Sequence, residues 1–183
     1  DNVGIGNSAL GANTTSSYNT AVGNRALLVN TAELNTAVGS LCMQANTTGT
    51  QNAAVGQAAM YANTTGSYCT AVGRYALRLN TTGTSNSAVG NQALDANTTG
   101  ASNTAMGVNA LGANTTASNN VAFGDQALAG NTTGAGNVAV GHDALEANTT
   151  ANYNTGVGFE ALKLNTTGTR NTALGAYSLD GNT

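Results

Sequence analysis

The chain has no proline and no tryptophan, a single histidine and two cysteines, and only 13 of its 183 residues carry a formal charge. Each shortage closes off a class of protein. Without proline, and without glycine at every third position, a collagen-like triple helix is excluded. No stretch reaches the ~18 to 20 consecutive apolar residues of a membrane span, so no membrane insertion is expected of this segment. Five basic residues and a net charge of −3 leave no basic footprint for nucleic acid. Two cysteines and one histidine supply neither a metal cluster nor a redox motif, and no cofactor is expected.

What is abundant is small. Alanine, threonine, asparagine and glycine fill 113 positions. Such a composition suits a disordered chain, but disorder has no period. This chain has one. It divides into eleven copies of a 17-residue unit, Asn-Thr-Ala-Val-Gly-x-x-Ala-Leu-x-x-Asn-Thr-Thr-Gly-x-x, beginning at Asn2, Asn19, Asn35, Asn52, Cys69, Asn86, Asn103, Asn120, Asn137, Asn154 and Asn171. The second copy is one residue short and the last stops at Thr183, so a single repeat array covers 1–183.

The eleven copies act as their own comparison. Position 5 is always Gly, 12 always Asn, 13 always Thr, and 9 always Leu or Met. Position 4 is always apolar, while positions 3 and 8 hold nothing larger than Cys42. Apart from Asp1 and Glu33, every charge falls at positions 6, 7, 10 or 17, the expected solvent positions.

A helical unit is disfavoured, because each glycine in a helix interior costs about 1 kcal/mol and helical repeats run to ~33 to 47 residues. Short Thr/Val/Ala segments punctuated by Gly and Asn predict strands and turns instead. The expected fold is all-β, a β-solenoid or β-roll of eleven ~17-residue turns. Stacked at about 4.8 Å, they make a rod on the order of 50 Å long.

Alternation along a strand sets positions 2 and 4 on one face and position 3 on the other. A second strand is expected at positions 9 to 11, with 9 and 11 inward and 10 outward. Both faces of the first strand are restricted in size, and each turn offers only about two large apolar side chains, worth roughly 2 kcal/mol each when buried. A lone thin coil is therefore underfilled, and the first strand is expected to pack against copies of itself in a parallel homotrimer. The predicted core and oligomer residues are Val22, Val38, Val55, Val72 and Val89 at position 4, and Leu77, Leu94, Leu111, Leu128 and Leu145 at position 9.

Stacking in register turns the asparagines at positions 1 and 12 into ladders, each amide bonding the amide above and below. The predicted structural ladder comprises Asn13, Asn46, Asn63, Asn80, Asn97, Asn114, Asn131, Asn148 and Asn165. The same Asn-Thr-Thr is an N-glycosylation sequon, but a solenoid corner explains its recurrence without sugar. Regular threonine files also admit an ice-binding face, the alternative function.

Candidate chemistry is sparse, and no enzyme is expected. Gly4-Ile5-Gly6 and Gly156-Val157-Gly158 look like fragments of phosphate loops, yet both are repeat positions 3 to 5 and neither opens a helix. His142 beside Asp143 lacks a third catalytic partner and is expected to be a solvated pair. Cys42 and Cys69 fall two turns apart, about 10 Å along the axis, beyond the ~7 Å limit of a disulfide. Tyr61, Tyr68, Tyr75, Tyr153 and Phe159 remain as a possible ligand surface, since exposed aromatics can stack on sugars or anchor a partner.

The run Asn-Thr-Ala-Val-Gly at 19–23 and 35–39, and Asn2-Val3-Gly4-Ile5-Gly6 more closely, is similar to the Ser-Val-Ala-Ile-Gly core of the head repeats of trimeric autotransporter adhesins. With Ala-Leu-x-x-Asn-Thr-Thr-Gly added, the unit resembles repeats of phage tail fibres and related bacterial surface fibres. The resemblance implies a trimeric β-roll shaft or head, with positions 4 and 9 as core and an adhesive or spacer role. Its implied partners are the chain itself and a host-cell receptor or glycan, outside the cell at a bacterial or virion surface. The adhesin repeats are shorter than 17 residues, so the Asn-Thr-Thr-Gly insertion is expected to enlarge each turn or add a third side. The array is expected to be one segment of a longer fibre.

Overall fold

The computed structural model describes residues 1–182. Among the described residues it is an all-β stack of turns without a helix, one repeat to each turn. Repeat positions 2 to 4 form a three-residue strand in every copy: β1 (Val3–Ile5), β2 (Thr20–Val22), β3 (Thr36–Val38), β4 (Ala53–Val55), β5 (Thr70–Val72), β6 (Ser87–Val89), β7 (Thr104–Met106), β8 (Val121–Phe123), β9 (Val138–Val140), β10 (Thr155–Val157) and β11 (Thr172–Leu174). They make one parallel sheet in sequence order. Every strand pairs with equivalent residues of the next, so Ala88 lies opposite Ala105 and Val89 opposite Met106. The shortened second copy keeps this register, with Ala21 opposite Ala37.

Glycine at position 5 closes each strand for two reasons. Its φ lies between 123° and 141° in all eleven copies, a region that penalises any Cβ. The next turn also passes too close, since a Cβ on Gly6 would sit 2.6 Å from the Gly23 carbonyl oxygen, and one on Gly90 would run into that of Gly107.

The expected second strand is not a strand. Positions 5 to 12 form three overlapping reverse turns, which in the sixth copy close through Ala93 N–H to Gly90 O (3.4 Å), Asp95 N–H to Gln92 O (3.3 Å) and Asn97 N–H to Leu94 O (3.2 Å). Two residues per copy adopt left-handed geometry here, as in Gln92 (φ 58°) and Leu94 (φ 52°). For an L-residue that costs roughly 1 to 2 kcal/mol. The return is position: Leu94 is fully buried, and its N–H donates to Ala110 O of the next turn at 3.0 Å. Position 11, expected inward, is instead half-buried at Ala96 and exposed at Leu79 and Leu164.

The core is a column of alanine at positions 3 and 8 and leucine or methionine at 9, all at or near zero exposure from the second copy to the tenth, with the buried Cys42 at position 8 of the third and Gly156 at position 3 of the tenth as the departures. Position 4 was expected to face inward, and it faces out. Val22, Val38 and Val89 are only half-buried, and Val55 and Val72 are 42% and 39% exposed. The small alanine between them points inside, because the leucine and two asparagines already occupy the narrow coil. Within one chain the strand is therefore covered on one face only.

Gly90→Ala combines a disallowed φ with a backbone clash and is expected to destabilise by about 3 kcal/mol or more. Asn91→Ala, one residue on at a solvent position, is expected to stay within about 0.5 kcal/mol of the parent. Thermal unfolding followed by circular dichroism compares the two.

Candidate functional site

The most ordered polar feature is the column of asparagines at position 12. The Nδ2 of Asn46 donates to Oδ1 of Asn30 (2.6 Å), Asn63 to Asn46 (2.7 Å), Asn80 to Asn63 (2.8 Å), and the chain continues through Asn97, Asn114, Asn131, Asn148 and Asn165 to Asn182. From Asn46 to Asn165 the second proton of the amide goes to the carbonyl three residues on, as from Asn97 to Gly100 O at 3.0 Å, whereas Asn30 donates to Ala32 O. Asn13 differs. Its Nδ2 donates to Ser16 O at 3.1 Å and its Oδ1 accepts from the Ser16 hydroxyl. From Asn30 to Asn165 these side chains are fully buried, and a buried amide left unpaired would cost about 1 to 3 kcal/mol.

Position 1 builds a different column from the amide-to-amide ladder expected of it. Its Oδ1 accepts the backbone N–H of the next position 1, as in Asn103 N–H to Asn86 Oδ1 (2.9 Å), and its Nδ2 donates to a carbonyl of the next turn, as from Asn86 to Gly100 O (2.7 Å). Cys69 interrupts this column. Its own N–H is held by Asn52 Oδ1 at 2.9 Å, but toward the next turn it offers only a thiol, 3.5 Å from Gly83 O. Burial pushes the Cys69 thiol up and the Cys42 thiol to about 12, so neither is a thiolate at neutral pH. Both are free and buried.

The threonine columns divide by role. At position 13 the hydroxyl donates to the backbone of the next turn, as from Thr81 to Thr98 O at 3.0 Å, and the side chain is mostly half-buried. Position 14, next along the chain, is exposed from Thr48 to Thr150, a single outward file. From Asn46 to Asn165 the sequon nitrogens are buried and both their protons are committed in the position-12 column, whereas Asn13 is half-buried and bound only to Ser16.

Charged groups gather in two places. Arg78 and Asp95 join adjacent turns through two bonds of 2.8 and 2.9 Å, while the Arg74 and Arg78 guanidinium carbons lie 4.0 and 4.9 Å from the Tyr75 ring centre. Lys163 lies 2.7 Å from Asp143, 3.3 Å from Glu160 and 3.6 Å from Glu146. The hydrogen bond that Lys163 donates to Asp143, opposed by desolvation and reinforced by Glu160, holds the Lys163 ammonium above the ordinary lysine range. His142 and Asp143 are not the solvated pair expected. Asp143 is buried, with Oδ1 3.3 Å from His142 Nδ1, and the His142 ring stacks on Phe159 at 5.3 Å, which meets Tyr177 edge-on at 5.4 Å.

The aromatics named as a ligand surface do not converge. Tyr68 and Tyr153 stand 62% and 61% exposed at position 17, Tyr61 stands 38% exposed at position 10, Tyr75 lies under the Arg74 and Arg78 guanidinium groups, and Phe159 belongs to the histidine stack. Among the described residues no surface cavity is present, no group of three His, Cys, Asp or Glu could hold a metal ion, and no helix is long and apolar enough to cross a membrane.

One continuous surface remains, the outer face of the sheet. Positions 2 and 4 contribute Thr, Ser, Ala, Val, Ile, Leu, Met and Phe in the eleven copies and never a charge. Met106 is 45% exposed, Phe123 37% and Val140 38% on this face. It is a contiguous uncharged strip in which an exposed or half-buried apolar side chain recurs at position 4 of every turn. No family profile, curated protein or solved structure matches the chain.

Cys69→Asn is expected to restore the missing rung of the position-1 column and to stabilise the coil by about 1 kcal/mol, read as a higher unfolding midpoint. Both native thiols are expected to resist alkylation at pH 8 in the folded chain and to react in denaturant; rapid labelling of the folded chain contradicts their burial.

Proposed function

We propose that this chain is a structural and adhesive fibre segment, a shaft or head, in which three parallel copies pack through the outer sheet face. The observation that carries the reading is that charge-free strip of exposed apolar side chains, running the whole rod on one side while every charge lies elsewhere. With strands about 4.8 Å apart and three residues wide, the strip measures on the order of 500 Å². A single pairwise contact of that size falls short of the ~800 Å² per partner of a standard interface. Closure around an axis, with each copy touching two others and position 4 pointing to the centre, covers more. The resemblance to trimeric adhesin heads and phage tail fibres supports the same arrangement, an extracellular setting at a cell or virion surface, and a host receptor or glycan as the outer partner.

The alternative, an ice-binding solenoid, rests on the exposed position-14 threonine file. One file is half of a flat two-file surface, because the neighbouring position-13 hydroxyls are spent on the backbone. Thermal hysteresis separates the readings: a solution that freezes like its buffer removes the alternative.

Sedimentation equilibrium at micromolar concentration is expected to give the mass of three chains. Val89→Asp puts a charge on the outer sheet face and is expected to yield monomers, whereas Thr99→Asp, the same charge on the exposed threonine file, is expected to leave the mass unchanged. A stable monomer in the parent chain contradicts the reading.

A further inference from the structure

A rod made of near-identical turns has a register problem if it packs against copies of itself. From β2 to β6 position 4 is Val22, Val38, Val55, Val72 and Val89 in succession, so sliding one copy by a turn sets valine against valine again. Strips of this kind specify register weakly. Between the terminal turns, from β2 to β10, the degeneracy is broken in one place. Position 4 becomes Met106 in β7 and Phe123 in β8, before returning to Val140 in β9. Position 2, which is Thr, Ser or Ala in every strand from β2 to β7, becomes Val121 and Val138 in β8 and β9. The strip thus swells and widens over three consecutive turns, and its two bulky side chains stand 45% and 37% exposed rather than folding back onto their own coil.

Resting on the self-association proposed above, we infer that Met106 and Phe123, flanked by Val121 and Val138, form a register key whose partner is the same patch on the other copies. In register, the phenyl rings meet at one level around the axis and the methionines meet one turn away. Displaced by a turn, each ring faces a methionine or a valine of different volume, which leaves a void on one side and crowding on the other. A flexible thioether beside a rigid ring suits such a joint, since methionine fills irregular gaps.

Disulfide trapping tests the key. Chains bearing Val55→Cys and chains bearing Val89→Cys are mixed, assembled and oxidised. In register these positions lie two turns apart, about 10 Å along the axis, beyond the ~7 Å reach of a disulfide. The parent sequence is expected to give links of like with like and none between 55 and 89. With Met106→Val and Phe123→Val, which copy the residue found in most other turns and so preserve the fold, the assembled mass is expected to persist while 55-to-89 links rise to the level of like-with-like links. Mixed links in the parent, or their continued absence in the double variant, overturn the register key and leave self-association standing. Monomers in the parent overturn both.

Discussion

A coil that advances by one turn of about 4.8 Å sets each position against its own counterpart one turn away, and its backbone and buried side-chain polar groups must find partners within the turn or in that neighbour. Whatever stands at a given position meets itself above and below. Asparagine at position 12 is suited to this, because a primary amide is donor at one end and acceptor at the other, and the column from Asn30 to Asn182 uses both. Glycine at position 5 meets the same demand through size, since a side chain there would strike the glycine of the next turn. Leucine at position 9 fills what is left of the interior and holds a left-handed backbone to do so.

The requirement of self-meeting also explains which parts of the structure were legible in the sequence. The period, the all-β coil, the glycine corner and the buried asparagine at position 12 could be read because stacking admits few substitutes there, and eleven copies expose the restriction. The turns over positions 5 to 12 could not. Left-handed geometry at Leu94 or Gln92 leaves no residue signature, and a Leu-x-Ala spacing looks like strand alternation. Alternation likewise separates positions 3 and 4 without saying which is inside, and side-chain size points the wrong way. The coil is too narrow for valine beside leucine and two asparagines, so alanine turns in and valine turns out.

The candidate site follows from that inversion. An apolar position expected to fill the chain's own core is left on its surface, repeated along the rod and accompanied by no charge. Elsewhere the variable positions carry what distinguishes one turn from another: Arg78 bound to Asp95, Lys163 among three carboxylates, and a histidine stacked on Phe159. These clusters join neighbouring turns laterally, and the Asp143 burial among them was invisible at the level of repeat positions. The invariant columns thus hold the rod together, while the outer sheet face and the variable ridges are free to meet other molecules.

Hydroxyl-radical footprinting addresses the covered face most directly, because oxidation of a methionine follows its exposure. In a single coil Met106 is 45% exposed and Met60 fully buried, with Tyr153, outside the strands, at 61% as an exposed reference. If copies pack through the outer sheet face, Met106 is protected to the level of Met60 while Tyr153 stays reactive. Oxidation of Met106 at the rate of an open side chain, in protein that is folded by circular dichroism, contradicts the account.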